Sequence, residues 1–115
     1  MENCSLYFAI TLDRKQAIFQ SHDNYSLIIC NVSDGKIVKR LEAHTTIVTE
    51  IAITPDNKRV ISLSYDGKLL VWDMVNGTII AAYQFESDIT CMAVNDDTIV
   101  VGDSDQNVHI LSLRT

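Results

Sequence analysis

Apolar residues in this chain come in short bursts of four to seven, and polar turn residues close each burst. The clearest case lies between His44 and Asp73. Three apolar runs fall there, separated by Thr54-Pro55-Asp56-Asn57 and by Tyr65-Asp66-Gly67. Runs of this length, rich in Val, Ile and Leu and bounded by Gly, Asn and Asp, predict strands joined by hairpins. Asn76-Gly77 and Asp34-Gly35 are further hairpin signals, because Gly and Asn reach positive φ at low steric cost. No window sustains a helical period with caps at its ends. The strands also fail to alternate. Leu69-Leu70-Val71-Trp72 and Ile79-Ile80-Ala81-Ala82 are apolar at every position. A sheet apolar on both faces must be covered on both faces.

The pattern repeats with a period near 40 residues, which is the first thing to settle in such a chain. Ser64-Tyr65-Asp66 has a counterpart in Ser21-His22-Asp23, 43 residues earlier, and another in Asp103-Ser104-Asp105, 39 residues later. The flanks agree. Leu27–Val32, Leu69–Met74 and Val108–Leu113 align, as do Phe8–Thr11, Ile51–Thr54 and Met92–Asn95. The full repeat contains four apolar runs and predicts a four-stranded antiparallel meander. Copy one covers about 5–43, copy two about 44–86 and copy three about 87–115. Copies one and two supply four strands each. Copy three supplies three, at about 89–94, 98–102 and 107–113, and lacks its last strand. Stacking such meanders radially, face against face, gives a propeller. The expected fold is all-β, a partial propeller of three blades.

The middle copy resembles a WD40 repeat. His44 stands where the family's Gly-His pair falls, with Ala43 in place of the glycine. Thr54–Lys58 resembles its Ser-Pro-Asp-Gly-Lys turn, Ser62–Gly67 its Ser-Gly-Ser-x-Asp-Gly segment, and Trp72-Asp73 the signature pair. The outer copies are worn. Cys30-Asn31 and Leu111-Ser112 replace Trp-Asp, and the third copy has no matching histidine. The resemblance implies a scaffold that mediates protein–protein contacts, without catalysis and without a cofactor. The tail 98–113 also resembles the last blade of WD40 domains at the C-termini of NACHT- or NB-ARC-type signalling ATPases. A sensor or autoinhibitory role in such a protein is therefore one alternative, and a truncated, non-functional fragment is another. Three blades cannot close a ring, so further blades in a parent chain are expected partners.

Composition narrows the partners. With 9 basic and 15 acidic residues the net charge is −6, and the basic residues are scattered. A nucleic-acid face, which needs clustered Lys and Arg, is not expected. No apolar run approaches the roughly 20 residues of a membrane helix. The start, Met1-Glu2-Asn3-Cys4, has no basic region before its apolar stretch, unlike a secretory signal. Cys4, Cys30 and Cys91 lie far apart among apolar neighbours and read as buried free thiols in a reducing compartment. The cytoplasm is the expected location, and the nucleus is compatible with the same features.

Ser62, His44 and Asp66 are the residue types of a hydrolase triad. The resemblance implies instead that His44, Ser62, Asp66 and Trp72 form a buried structural network. A buried imidazole needs both nitrogens satisfied, and an indole N–H needs an acceptor. Asp103–Asn107 resembles the start of a calcium loop, but Val108 and Arg114 occupy the positions that need Gly and Glu. No phosphate-binding glycine loop is present. With no metal and no catalytic site expected, binding falls to the surface. The resemblance points to the face where first strands begin and second hairpins turn. There Tyr65, Ile47 and Thr49 belong to the middle blade, and His22, Thr90 and Ser104 to its neighbours. Tyr65 is the strongest candidate, because aromatic residues dominate interface hot spots.

Overall fold

A computed structural model describes residues 8–21, 25–95 and 97–112. Among them eleven strands form three antiparallel sheets. The first blade contains β1 (Phe8–Ile10), β2 (Gln16–Gln20), β3 (Leu27–Asn31) and β4 (Ile37–Leu41). The second contains β5 (Val48–Ile53), β6 (Arg59–Ser64), β7 (Lys68–Asp73) and β8 (Ile79–Gln84). The third contains β9 (Ile89–Val94), β10 (Thr98–Asp103) and β11 (Val108–Ser112). Each sheet is a meander in chain order. The architecture is the all-β, three-bladed one expected from the repeat.

The middle blade explains the missing alternation. On β6, Val60 faces the first blade while Ile61 and Leu63 face the third; on β7, Leu70 and Trp72 face the first while Leu69 and Val71 face the third. Both sets are buried, because a blade lies against each face. One core joins Ile18, Leu27, Ile29, Leu41, Val48, Val60, Leu70, Trp72 and Met74 between blades one and two. The other joins Ile61, Leu63, Leu69, Val71, Ile99 and Val101 between blades two and three. Apolar burial of this kind, at roughly 25 cal/mol per Å², holds the stack together.

The first hairpins of blades one and two are the same device built twice. The Thr11 hydroxyl donates to Asp13 at 2.5 Å and accepts from the Gln16 amide at 3.1 Å. The Thr54 hydroxyl donates to Asp56 at 2.6 Å and accepts from the Arg59 amide at 3.1 Å. Each turn then places one residue at positive φ: Arg14 at 63° and Asn57 at 62°. Asn57 tolerates that conformation readily, whereas Arg14 is held there by the turn.

The outward faces differ from the cores. Ile18 and Ile29 face blade two, so alternation turns Phe8, Ile10 and Phe19 the other way. Phe8 is 63% exposed and Ile10 50%. Ile99 and Val101 likewise face blade two, leaving Val108 and Ile110 on the far side of blade three, 66% and 70% exposed.

One polar contact pins blade one to blade two. Gln20 is buried at the end of β2. Its amide nitrogen donates to the carbonyls of Thr46 at 2.9 Å and Tyr25 at 3.0 Å, and its oxygen accepts from the Val48 amide at 2.8 Å. Gln20→Ala strands the buried Val48 amide and leaves the part-buried Tyr25 and Thr46 carbonyls without this donor. We expect a loss of about 2 kcal/mol, read as a lowered urea midpoint with an unchanged slope.

Candidate functional site

Ser62 sits on the face of β6 that looks toward blade one, between Val60 and the strand end. It has no solvent-exposed surface. Its oxygen lies 2.6 Å from His44 Nε2 and accepts a bond from Trp72 Nε1–H at 2.9 Å. The serine proton finds an acceptor if it goes to Nε2, which places the ring proton on Nδ1. His44 Nδ1 is buried and has no partner. Burial pushes the His44 pKa down to about 4; the nearby Asp66 charge pulls it partly back, and Lys68 adds to the lowering. The ring is therefore neutral at pH 7.

Asp66 departs from expectation. It makes no hydrogen bond to His44. Its carboxylate accepts from the Ser64 hydroxyl and from the Lys68 amide, the latter at 3.3 Å. The Ser64 bond is the main reason its pKa falls below the usual carboxylate value. The cause is local: Ser64 lies two residues away in the same tight turn, as Thr11 does from Asp13 and Thr54 from Asp56. The brace that does form has three members, His44, Ser62 and Trp72. As chemistry it is closed, since a nucleophile inside a core and already bonded to an indole cannot meet a substrate.

The surface candidates lie at the end of the blades where these loops turn. Tyr65 is 77% exposed, with its amide donating to the Ile47 carbonyl at 2.7 Å. The Ile47 side chain is exposed. Thr49 is half-buried and donates to the Leu63 carbonyl; Thr90 is exposed and donates to the Gly102 carbonyl. Ser104 is exposed, and its amide donates to the Asp88 carbonyl. His22 lies outside the described residues. Tyr65, Thr49 and Thr90 line one cleft of about 300 Å³ between blades two and three, together with Glu50, Ser64, Asp88 and Ile89. The turn behind Tyr65 cannot vary: Gly67 has φ of 84°, and a Cβ there would meet the Phe85 carbonyl oxygen at 2.4 Å.

Blade three carries a polar contact that the repeat pattern hides. The buried Asp103 accepts from the amides of Asp105 and Asn107, both at 2.9 Å, and pairs with His109 Nε2 at 3.0 Å. The His109 bond is the largest cause of its lowered pKa. His109 also packs against Phe85, with ring centroids 5.2 Å apart. The alignment marks Asp105 as the turn residue here, yet Asp103 takes the anchoring role. Gln20 was equally invisible. The signal available for both was a polar residue closing an apolar run, at a position its repeat partners fill differently.

These blades have known counterparts. The chain superimposes on the β-propeller domain of Cps50 (Swd1) from Myceliophteria thermophila with a TM-score of 0.85, covering 96% of this chain and 36% of that one at 11% identity. The protein is thus a segment of a β-propeller. Residues 35–73, from the turn before β4 to the end of β7, match the model of the WD domain, G-beta repeat. Among similar proteins, the WD repeat domain-containing protein 83 homolog of Dictyostelium discoideum is 32% identical over 94 residues, 78% of this chain and 29% of that protein. Autophagy-related protein 16 of Arabidopsis thaliana is 27% identical over 84% of this chain and 20% of its own length. The chain spans less than a third of either relative. Neither is a NACHT- or NB-ARC-type ATPase by name.

Two outcomes follow for the brace. Ser62→Ala removes the acceptor of Trp72 Nε1 and the partner of His44 Nε2. It should cost about 2 to 4 kcal/mol in urea unfolding. The second concerns pH. The folded pKa of His44, about 4, lies below its unfolded value of 6.5, so its contribution is whole above pH 6.5 and lost as pH falls toward 4. A partly screened ring should lose on the order of 2 kcal/mol across that window. His44→Gln should flatten this part of the pH–stability curve. The aspartates with lowered values lose their contribution mainly below about pH 5, so they overlap only the acid end of this window.

Proposed function

We propose that this chain is a non-catalytic part of a WD40 scaffold and meets protein partners at the end of the blades that carries Tyr65. The observation that carries this reading is the fate of Ser62. The one serine–histidine pair resembling catalytic chemistry is fully buried and bonded to Trp72, which leaves an exposed surface as the functional element. Tyr65 at 77% exposure supports it, being a large aromatic held on a rigid hairpin. Likeness to longer WD-repeat proteins supports the wider setting. Within that setting, further blades cover the apolar outer faces at Phe8 and Ile10 and at Val108 and Ile110.

A photo-crosslinking residue placed at Tyr65 tests the binding face. Crosslinks to protein should form there and not from the same residue at Lys36, at the opposite end. Tyr65→Ala should weaken the captured partner by about tenfold, near 1.4 kcal/mol. Equal capture from both ends would remove this reading.

A further inference from the structure

The two ends of the blades differ in charge. At the Tyr65 end, the connections at 42–47, 65–67, 85–88 and 104–107 carry Glu42, Asp66, Glu86, Asp88 and Asp105. They contain no Lys or Arg. At the opposite end, the connections at 11–15, 32–36, 54–58, 74–78 and 95–97 set Asp13, Asp34, Asp56, Asp96 and Asp97 against Arg14, Lys15, Lys36 and Lys58. The negative field of the chain is therefore concentrated where the cleft between blades two and three opens.

The cleft has its own composition. Glu50 enters from β5 of one blade, and Asp88 from the loop leading into the next. Neither carboxylate has a hydrogen-bond or ion-pair partner among the described residues. The hydroxyls of Thr49 and Thr90 are already committed to carbonyls. Ile89 supplies apolar surface, and Tyr65 stands at the rim. Two unpaired acids, an apolar wall and an exposed ring suit a group that is cationic at its tip and apolar along its stem.

We propose that this cleft receives an arginine side chain of a partner polypeptide, with Glu50 and Asp88 as its counter-charges and the Tyr65 ring as its stacking surface. The proposal rests on the scaffold reading above and names the chemistry of the partner. Arginine fits better than lysine. Its guanidinium is planar, weakly hydrated and always charged, and it can stack on an aromatic face while donating to carboxylates. Because the two acids belong to different blades, the site exists only where those blades are stacked.

The probe is N-acetyl-arginine amide, titrated into the 15N-labelled full chain, with N-acetyl-citrulline amide as the uncharged control. Arginine should give saturable amide shifts centred on Thr49, Glu50, Tyr65 and Asp88–Thr90, with a Kd on the order of 1 mM. Citrulline should give none. Glu50→Gln and Asp88→Asn, both near-isosteric, should each weaken binding at least threefold, while Asp34→Asn at the opposite end leaves it unchanged. The amide spectrum also reports whether each variant is folded. Equal shifts with citrulline, shifts that do not saturate, or unchanged affinity in both cleft variants would overturn the proposal. Crosslinking from Tyr65 without arginine binding removes the arginine site and leaves the scaffold standing. Arginine binding without crosslinking overturns the assignment to a protein partner.

Discussion

Everything in this structure follows from a blade that is apolar on both faces. A strand sends alternate side chains to opposite sides. Leu69, Leu70, Val71 and Trp72 therefore load both sides of one strand with apolar bulk. A lone sheet with that pattern would leave half of it in water. The chain answers with a blade on each side, and all four residues are buried. The same logic applied one step outward gives the opposite result. Phe8, Ile10, Val108 and Ile110 belong to faces with no neighbouring blade among the described residues, and they are exposed. The stack is a local solution whose demand for cover passes to its ends.

Polar groups fix how the blades meet. Apolar faces are tolerant of sliding, since burial has little direction. Gln20 removes that freedom between blades one and two by bonding Thr46 and Val48 across the gap. His44 does similar work from the connection between the blades, reaching Ser62 inside the second sheet. Between blades two and three, Asp103 on β10 fixes His109 on β11, and the His109 ring packs on Phe85. Each contact lies toward the end of the blades where Tyr65 turns. A rigid rim is what a binding surface needs, because ordering a mobile one would subtract from affinity.

Much of the fold was legible in the sequence because its signals are short-range and repeated. Gly67, Gly77 and Asn57 mark hairpins by backbone preference, and the 40-residue period multiplies each signal. The polar details were harder. Asp66 looked like the partner of His44, as the family pattern implies, but a serine two residues away captured its carboxylate. Gln20 and Asp103 carry no motif; their roles depend on what stands across an inter-blade gap, which no local pattern encodes. The cleft at Glu50 and Asp88 was hidden for the same reason. Its residues lie nearly 40 positions apart and meet only when two sheets stack.

The wear of the repeat has a physical pattern of its own. Ser62 and Trp72 face the preceding blade, and their register partners in blade three are Val101 and Leu111, which face blade two. Where blade two has a buried hydroxyl–indole pair, blade three has the buried Val101 and the half-buried Leu111. Replacing both members of a polar contact by apolar groups is close to neutral, whereas losing one member strands the other. The third copy also lacks a histidine matching His44, so no partner is left behind. The brace is therefore not what makes blades stack, since blade three stacks without it. What cannot be lost is apolar bulk at these positions, and that is what Ile99, Val101 and Leu111 preserve.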